Sequence, residues 1–391
     1  SLPRLRVKRA HQANPLHAAL LDAVHTTITE REAAQLLDHT ALDQFWEALC
    51  QHAVASGPGA AENDKRLSWD AVCHVRADLP ARFAPYLTPA IFLHFQRSER
   101  SDISLLQYFN YVLRRASLEE AQAELHAYDR DYDGCLTEAE VQEWISDLVP
   151  TLHLQTLNTS FHKFYFYAAA RKFFFFLDKS RRDRLPIQAI LLSPILTELF
   201  ELRASDADAD AELPREYKRS NWFSSYNTLR VYGQFLNLDA DHNGMLSRAE
   251  LGKYSHGALS NLFLDRLFQE VRTFDRQMDF RGFLDFVLAV ENLPTPEAMA
   301  YCFRALDMGG RGGLDALTLE TLFRAVSEKA HRVFGHEEVP AEDIVNEIFD
   351  MVKPATPGVI RLKDLIDSGI GGTVISILID CRGFHKYDNR D

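Results

Sequence analysis

The sequence predicts a mostly helical protein built from tandem helix–loop–helix pairs, with short strands joining the loops. Three observations predict this. Two twelve-residue stretches, "DRDYDGCLTEAE" (129–140) and "DADHNGMLSRAE" (239–250), place oxygen-bearing side chains at the same offsets around a central glycine. Hydrophobic residues followed by amphipathic helical patterns recur along the chain, and two pairs of these copies stand 33 and 32 residues apart. The chain is rich in phenylalanine, with 26 among 391 residues, which is material for helix-packed cores.

The first stretch crowds five acidic side chains into twelve residues. Like charges this close repel unless a cation sits among them. Counted from Asp129, carboxylates fall at positions 1, 3, 5 and 12: Asp129, Asp131, Asp133 and Glu140. Gly134 at position 6 supplies the bend, and Leu136 at position 8 points to a core. This is the spacing of an EF-hand calcium loop. Cys135 at position 7 lends its backbone carbonyl and not its thiol, and Thr137 at position 9 acts through water. In the second loop the equivalent ligands are Asp239, Asp241, Asn243, the carbonyl of Met245, Ser247 and Glu250. Asn243 is neutral, so the second loop offers three carboxylates where the first offers four. The first is therefore expected to bind Ca²⁺ more tightly, with one or two ions bound in all.

Degenerate copies surround these two. They lie at 96–107 (Ile103 at position 8), 178–189 (Leu185), 271–282 (Met278, with Gly282 in place of the acidic ligand), 307–318 and around Ile360. Each lacks most ligands, so these are expected to be empty structural partners. The spacings pair 96–107 with 129–140 and 239–250 with 271–282. The 178–189 copy is an alternative partner for the first loop.

The expected organisation is an N-terminal helical region (1–80), a first EF-hand-like domain (81–203), an acidic linker (204–220), a second EF-hand domain (221–330) and a degenerate helical tail (331–391). Asp206, Asp208 and Asp210 alternate like ligands, but no glycine or glutamate follows at the right offset. A basic run, "RLRVKRAH" (4–11), reads as a solvated tail. The stretch "FHKFYFYAAARKFFFFLD" (161–178) is interrupted by Lys163, Arg171 and Lys172, and reads as a helix buried on more than one side.

With 43 basic against 56 acidic residues, the net charge of −13 argues against nucleic-acid binding. No apolar run is long enough to suggest a membrane span. The five cysteines are scattered and read as free thiols. No phosphate-binding, nucleophile-elbow, zinc-protease or phosphatase motif is present, so no enzymatic activity and no catalytic residue is expected. The recognisable chemistry is calcium ligation, which points to a sensor, adaptor or regulatory subunit.

The segments "RKFFFFLD" (171–178), "LRVYGQFLNLDADHNGMLSRAEL" (229–251), "MDFRGFLDFVLAVEN" (278–292), "EIFDMVKP" (347–354) and "TVISILIDCRGF" (373–384) resemble the B'' regulatory subunits of protein phosphatase 2A. The resemblance favours the gamma-type branch, related to plant TONNEAU/FASS proteins, and is seen over about residues 80 to 391. It implies a calcium-binding subunit that joins a HEAT-repeat scaffold and a catalytic subunit, and that selects substrates and location. It further implies a cytoplasmic, cytoskeleton-associated address at centrosome, basal body or cilium, with the nucleus as an alternative. Microtubule, basal-body or axonemal proteins are then candidate partners. The rival reading is a cytoskeletal or axonemal EF-hand adaptor without a phosphatase partner.

Overall fold

A computed structural model describes residues 34–55, 65–98, 101–152, 154, 158–203, 219–335 and 339–389, with a few positions between 20 and 27. The basic run at 4–11 and most of the acidic linker lie outside the described residues. The fold is helical with short antiparallel strand pairs, as the sequence predicts. The chain divides into two compact units, Ser1–Leu136 with Pro186–Leu192, and Thr137–Leu185 with Ser193–Asp391. The first dividing point falls inside the loop 129–140.

The helices begin where short polar side chains can accept a hydrogen bond from an otherwise orphaned amide. Asp38 caps His39–His52, Ser68 caps Trp69–Asp78, Ser104 caps Leu105–His126 and Ser224 caps Ser225–Leu238. In the first unit these helices bury Phe45, Val72, Phe83 and Tyr108, with the Phe45 and Phe83 rings stacked 5.7 Å apart. The helix Leu105–His126 also packs against Ile187–Leu191.

Strand pairing in the first unit departs from the expected arrangement. Ile103 pairs with Leu67, not with the loop 129–140. The partner segment of that loop's first half is 186–192, where the Ile187 amide donates to the Gly134 carbonyl at 3.0 Å. The alternative partner, 178–189, is thus the one used. Leu67 itself belongs to a further copy that the regular spacing does not reveal. It is followed by Ser68, which caps the Ala71 amide three residues on. In the second unit Leu246 pairs with Met278, as expected, and Leu314 pairs with Ile360.

The position-8 residues Leu67, Ile103, Leu136, Leu185, Leu246, Met278, Leu314 and Ile360 are all fully buried. Each is placed by a strand of two or three residues. Burial of such a side chain contributes about 1.5–3 kcal/mol. That explains why this residue survives in copies that have lost their ligands.

The second unit is organised on the Phe-rich helix His162–Leu177, against which Glu138–Leu148 and Phe280–Glu291 pack. Two of its charged residues, the buried Arg171 and the half-buried Lys172, have partners. Arg171 is 6% exposed. Its guanidinium grips Asp285 in a fork, Nε to Oδ1 at 3.0 Å and Nη2 to Oδ2 at 2.9 Å. Arg171 Nη1 also faces Glu138 at 3.6 Å, and Arg281 meets the same carboxylate at 3.2 Å. Lys172 pairs with Glu198. The Trp222 indole nitrogen donates to the Ala168 carbonyl at 3.1 Å, tying the segment after the linker to the same helix.

Removing one member of a buried charge network strands the rest without compensation. Arg171→Ala is therefore expected to lower unfolding stability by about 3–5 kcal/mol. Arg171→Met combined with Asp285→Leu is expected to recover most of that loss. Urea denaturation of both variants beside the parent chain measures it.

Candidate metal centres

In each of the two complete loops the first aspartate is buried and held by backbone amides. Asp129 is 3% exposed and accepts from the amides of Asp133 at 3.3 Å and Gly134 at 2.8 Å. Asp239 is also 3% exposed and accepts from the amides of Asn243 at 3.1 Å and Gly244 at 2.9 Å. These bonds require the chain to curl back on itself. It does so at Gly134 (φ 76°) and Gly244 (φ 80°), a left-handed conformation that glycine adopts without strain. A Cβ at either glycine would meet nothing within 4 Å, so backbone freedom and not space selects glycine here.

One carboxylate oxygen each from Asp129, Asp131 and Asp133 lies within 4.8 Å of the others, and the same holds for Asp239, Asp241 and Glu250. Asn243, at position 5, accepts from the Met245 amide at 2.8 Å and donates to Asp241 and Gln277. The Cys135 amide donates to Asp133 at 2.8 Å, the same contact on the first loop. Burial pushes the Cys135 thiol up, and the negative charge of Asp129 and Asp131 pushes it further, which disfavours a thiolate beside the acidic cluster.

Thr137 and Ser247 carry a role that the ligand pattern alone does not reveal. Each begins a helix by a capping box. Thr137 accepts from the Glu140 amide, and Glu140 Oε2 accepts from the Thr137 amide and hydroxyl, both at 2.8 Å. Ser247 and Glu250 repeat this at 2.9 and 2.7 Å. The remaining Glu250 oxygen, Oε1, accepts from the Ala240 amide at 2.9 Å. Burial raises the Glu250 carboxyl, but the hydrogen bonds from Ser247 and Ala240 outweigh it and hold the group below the usual carboxylate value. The signal is present in sequence as T-x-x-E and S-x-x-E.

The donor set fits a hard divalent cation. It consists of oxygens only, and three of the carboxylates (Asp129, Asp239 and Glu250) are buried. Buried acidic groups in proximity repel one another, and a cation at their centre relieves that repulsion. Neither acidic group includes an imidazole or a thiolate that would favour a softer metal.

Two of the degenerate loops, 178–189 and 307–318, keep the position-1 scaffold and lack most of the donors. Asp178 accepts from the amides of Arg182 at 3.1 Å and Asp183 at 2.8 Å. Asp307 accepts from those of Arg311 at 3.1 Å and Gly312 at 2.7 Å. The position-9 cap also persists, from Asp279 to the Gly282 amide and from Asp315 to the Thr318 amide. Position 1 is therefore a structural residue in its own right, independent of any ion. Asp307→Ala is expected to cost about 1–3 kcal/mol of stability, the loss of two hydrogen bonds at about 0.5–1.5 kcal/mol each. The loss should be the same in calcium and in chelator, whereas that of Asp239→Ala should grow when calcium is added. Thermal melts in both buffers check this.

No protein-family model matches the chain. Curated relatives do. The gamma-type B'' regulatory subunit of serine/threonine-protein phosphatase 2A from Danio rerio is 40% identical over 392 residues, covering all of this chain and 84% of the relative. Its Homo sapiens counterpart is 39% identical over 393 residues with the same coverage. The TON2 protein of Arabidopsis thaliana, described as a probable regulatory subunit of the same B'' kind, is 37% identical over 93% of this chain and 76% of its own length. A solved structure described as "PP2A PR70 Holoenzyme" and labelled "diCa" contains a chain of the same fold. It is 24% identical, with a TM-score of 0.56 over 65% of this chain and 94% of that one. The alignments with the gamma subunits include the first 80 residues, which carry none of the motifs that show the resemblance by eye. Similarity at this level along the whole chain places it in the B'' family of protein phosphatase 2A regulatory subunits, close to the gamma type.

Proposed function

We propose that the chain is a calcium-binding subunit of the protein phosphatase 2A heterotrimer that selects substrates and directs the enzyme without catalysing hydrolysis. The observation that carries this reading is the end-to-end similarity to gamma-type B'' proteins, which are described as regulatory subunits. The similarity in fold to a chain of the PR70 holoenzyme supports binding to the scaffold and catalytic subunits. The "diCa" label of that structure and the two acidic loops of this chain support Ca²⁺ as the ligand.

Asp129, Asp131, Asp133, Thr137, Glu140 and the Cys135 carbonyl would hold one ion. Asp239, Asp241, Asn243, Ser247, Glu250 and the Met245 carbonyl would hold another. Bound Ca²⁺ supplies the positive charge that cancels repulsion among these carboxylates. The chain's own part is to present the oxygens in a preformed turn, fixed by the position-1 hydrogen bonds and the capping boxes. Loop order then couples to assembly by linkage, because an ion that binds the assembled form better favours that form by its differential affinity. Couplings of this kind are typically about 1–3 kcal/mol. Association with microtubules, centrosome or cilium belongs to the same proposal and rests on the gamma-type resemblance alone.

Two experiments test it. Calorimetric titration of the parent chain is expected to show two calcium sites, with Glu140→Gln abolishing the tighter and Glu250→Gln the weaker. The reverse order contradicts the carboxylate count. Affinity capture of the tagged chain from cytosol is expected to recover scaffold and catalytic subunits, more in calcium than in EGTA. Recovery of neither subunit in either buffer refutes the phosphatase reading, and recovery of tubulin alone favours a cytoskeletal adaptor.

A further inference from the structure

The helix Leu105–His126 carries the stretch "LRRASLEE" (113–120) at its middle. Two arginines stand three and two residues before a serine, and an apolar residue follows it. That is a charge pattern by which a basophilic serine kinase recognises its substrate. Carboxylates of the kinase grip the two guanidinium groups, and an apolar pocket takes the residue after the acceptor. Most of the pattern lies on the surface. Arg114, Ser117 and Leu118 are exposed, and at spacings of three and four residues they share one face of the helix. Arg114 has no ion pair among the described residues.

Arg115 is held. Its Nε donates to Glu119 Oε1 at 2.8 Å, its Nη1 donates to the Pro85 carbonyl at 3.3 Å, and its guanidinium lies 5.1 Å from the centre of the Tyr86 ring. The Tyr86 hydroxyl donates to the other Glu119 oxygen, which closes a latch over the arginine. A kinase that grips this guanidinium must first take it from Glu119 and Tyr86. The acceptor must also leave the helix, because a kinase cleft takes its substrate extended. Two features ease that step. Between Val112 and Ala121 the helix buries only the small side chain of Ala116. Ser117 and Glu120 repeat the S-x-x-E spacing with which Ser247 and Glu250 begin a helix. The second half of the helix can therefore recap itself at Ser117 when the turn before it opens.

We propose that Ser117 is a phosphorylation site for a basophilic serine kinase, and that the latch of Arg115, Glu119 and Tyr86 governs access to it. Ser117 Oγ attacks the γ-phosphorus of ATP. The Oγ–P bond forms as the bond from phosphorus to the bridging oxygen breaks, ADP leaves with the electron pair, and the hydroxyl proton passes to a carboxylate of the kinase. A phosphoryl group is better placed at a helix N-terminus than within a helix. Modification therefore favours the form in which the helix restarts at Ser117.

The test uses the intact chain with ATP and the catalytic subunit of cAMP-dependent protein kinase as the basophilic probe. Incorporation is counted and placed by mass spectrometry. One phosphoryl group per chain is expected, on Ser117, transferred more slowly than to a peptide of residues 109–123, which lacks Tyr86 and so cannot form the latch. Ser117→Ala should take up none. Arg114→Ala should lower kcat/KM on the chain by about tenfold, the effect of one charge-assisted contact. Glu119→Gln should raise the rate on the chain severalfold and leave that of the peptide bearing the same change unaffected. Val72→Ala, which loosens the core of the same unit without touching the latch, should leave the rate near that of the parent. No phosphate on the parent and the Glu119→Gln chain alike, modification elsewhere in place of Ser117, or a rate indifferent to Arg114→Ala would overturn the proposal. Faster transfer by casein kinase 2 would overturn it too, because that kinase reads an acidic residue three places after the acceptor, here Glu120. A rise with Val72→Ala equal to that with Glu119→Gln would overturn the latch.

Discussion

The recurring constraint in this protein is a small one: an aspartate accepting two backbone amides four and five residues ahead of it. It closes the turn at Asp129, Asp178, Asp239 and Asp307. Once the turn is closed, position 8 is delivered to the strand pair and position 9 to the start of the next helix. The helices then inherit their directions from the turn. At two places the same scaffold also gathers acidic groups that could hold a metal ion.

The second organising interaction is the buried ion network on the Phe-rich helix. Arg171 and Asp285 are 114 residues apart in sequence, and they connect the helix that leads into the degenerate loop 178–189 with the helix that leaves the degenerate loop 271–282. Charges at such depth contribute less to net stability than to uniqueness of packing, because only one arrangement satisfies the fork of the guanidinium. The aromatic neighbours Trp144, Phe173 and Phe223 supply apolar contact along the same helix.

Much of this is legible in the sequence where the determinants are local. The twelve-residue ligand spacing, the bend at Gly134 and Gly244 and the buried position-8 residues are all set within a few neighbours. Partnership between loops is not, because it depends on contacts across the unit. The pairing of Leu246 with Met278 follows the regular spacing, whereas Ile103 takes Leu67 over Leu136. The copy around Leu67 is hard to see because positions 1 and 12 of its loop are Ala60 and Ala71 and no glycine stands at position 6, although Ser68 three residues before Ala71 marks a helix start as clearly as Thr137 does. The partners of Arg171 and Lys172 are invisible for the same reason: nothing local says where a buried arginine will find its carboxylate.

Gly282 shows how packing can close a loop to a ligand. It occupies the position where a complete loop carries its acidic ligand, and it is now packed so closely that a Cβ there would stand 2.8 Å from Cγ of the buried Met278. A glutamate there would require the Met278 side chain to shift beside its strand partner Leu246. The close packing at Gly282 thus excludes a side chain at position 12 of this loop unless Met278 gives way.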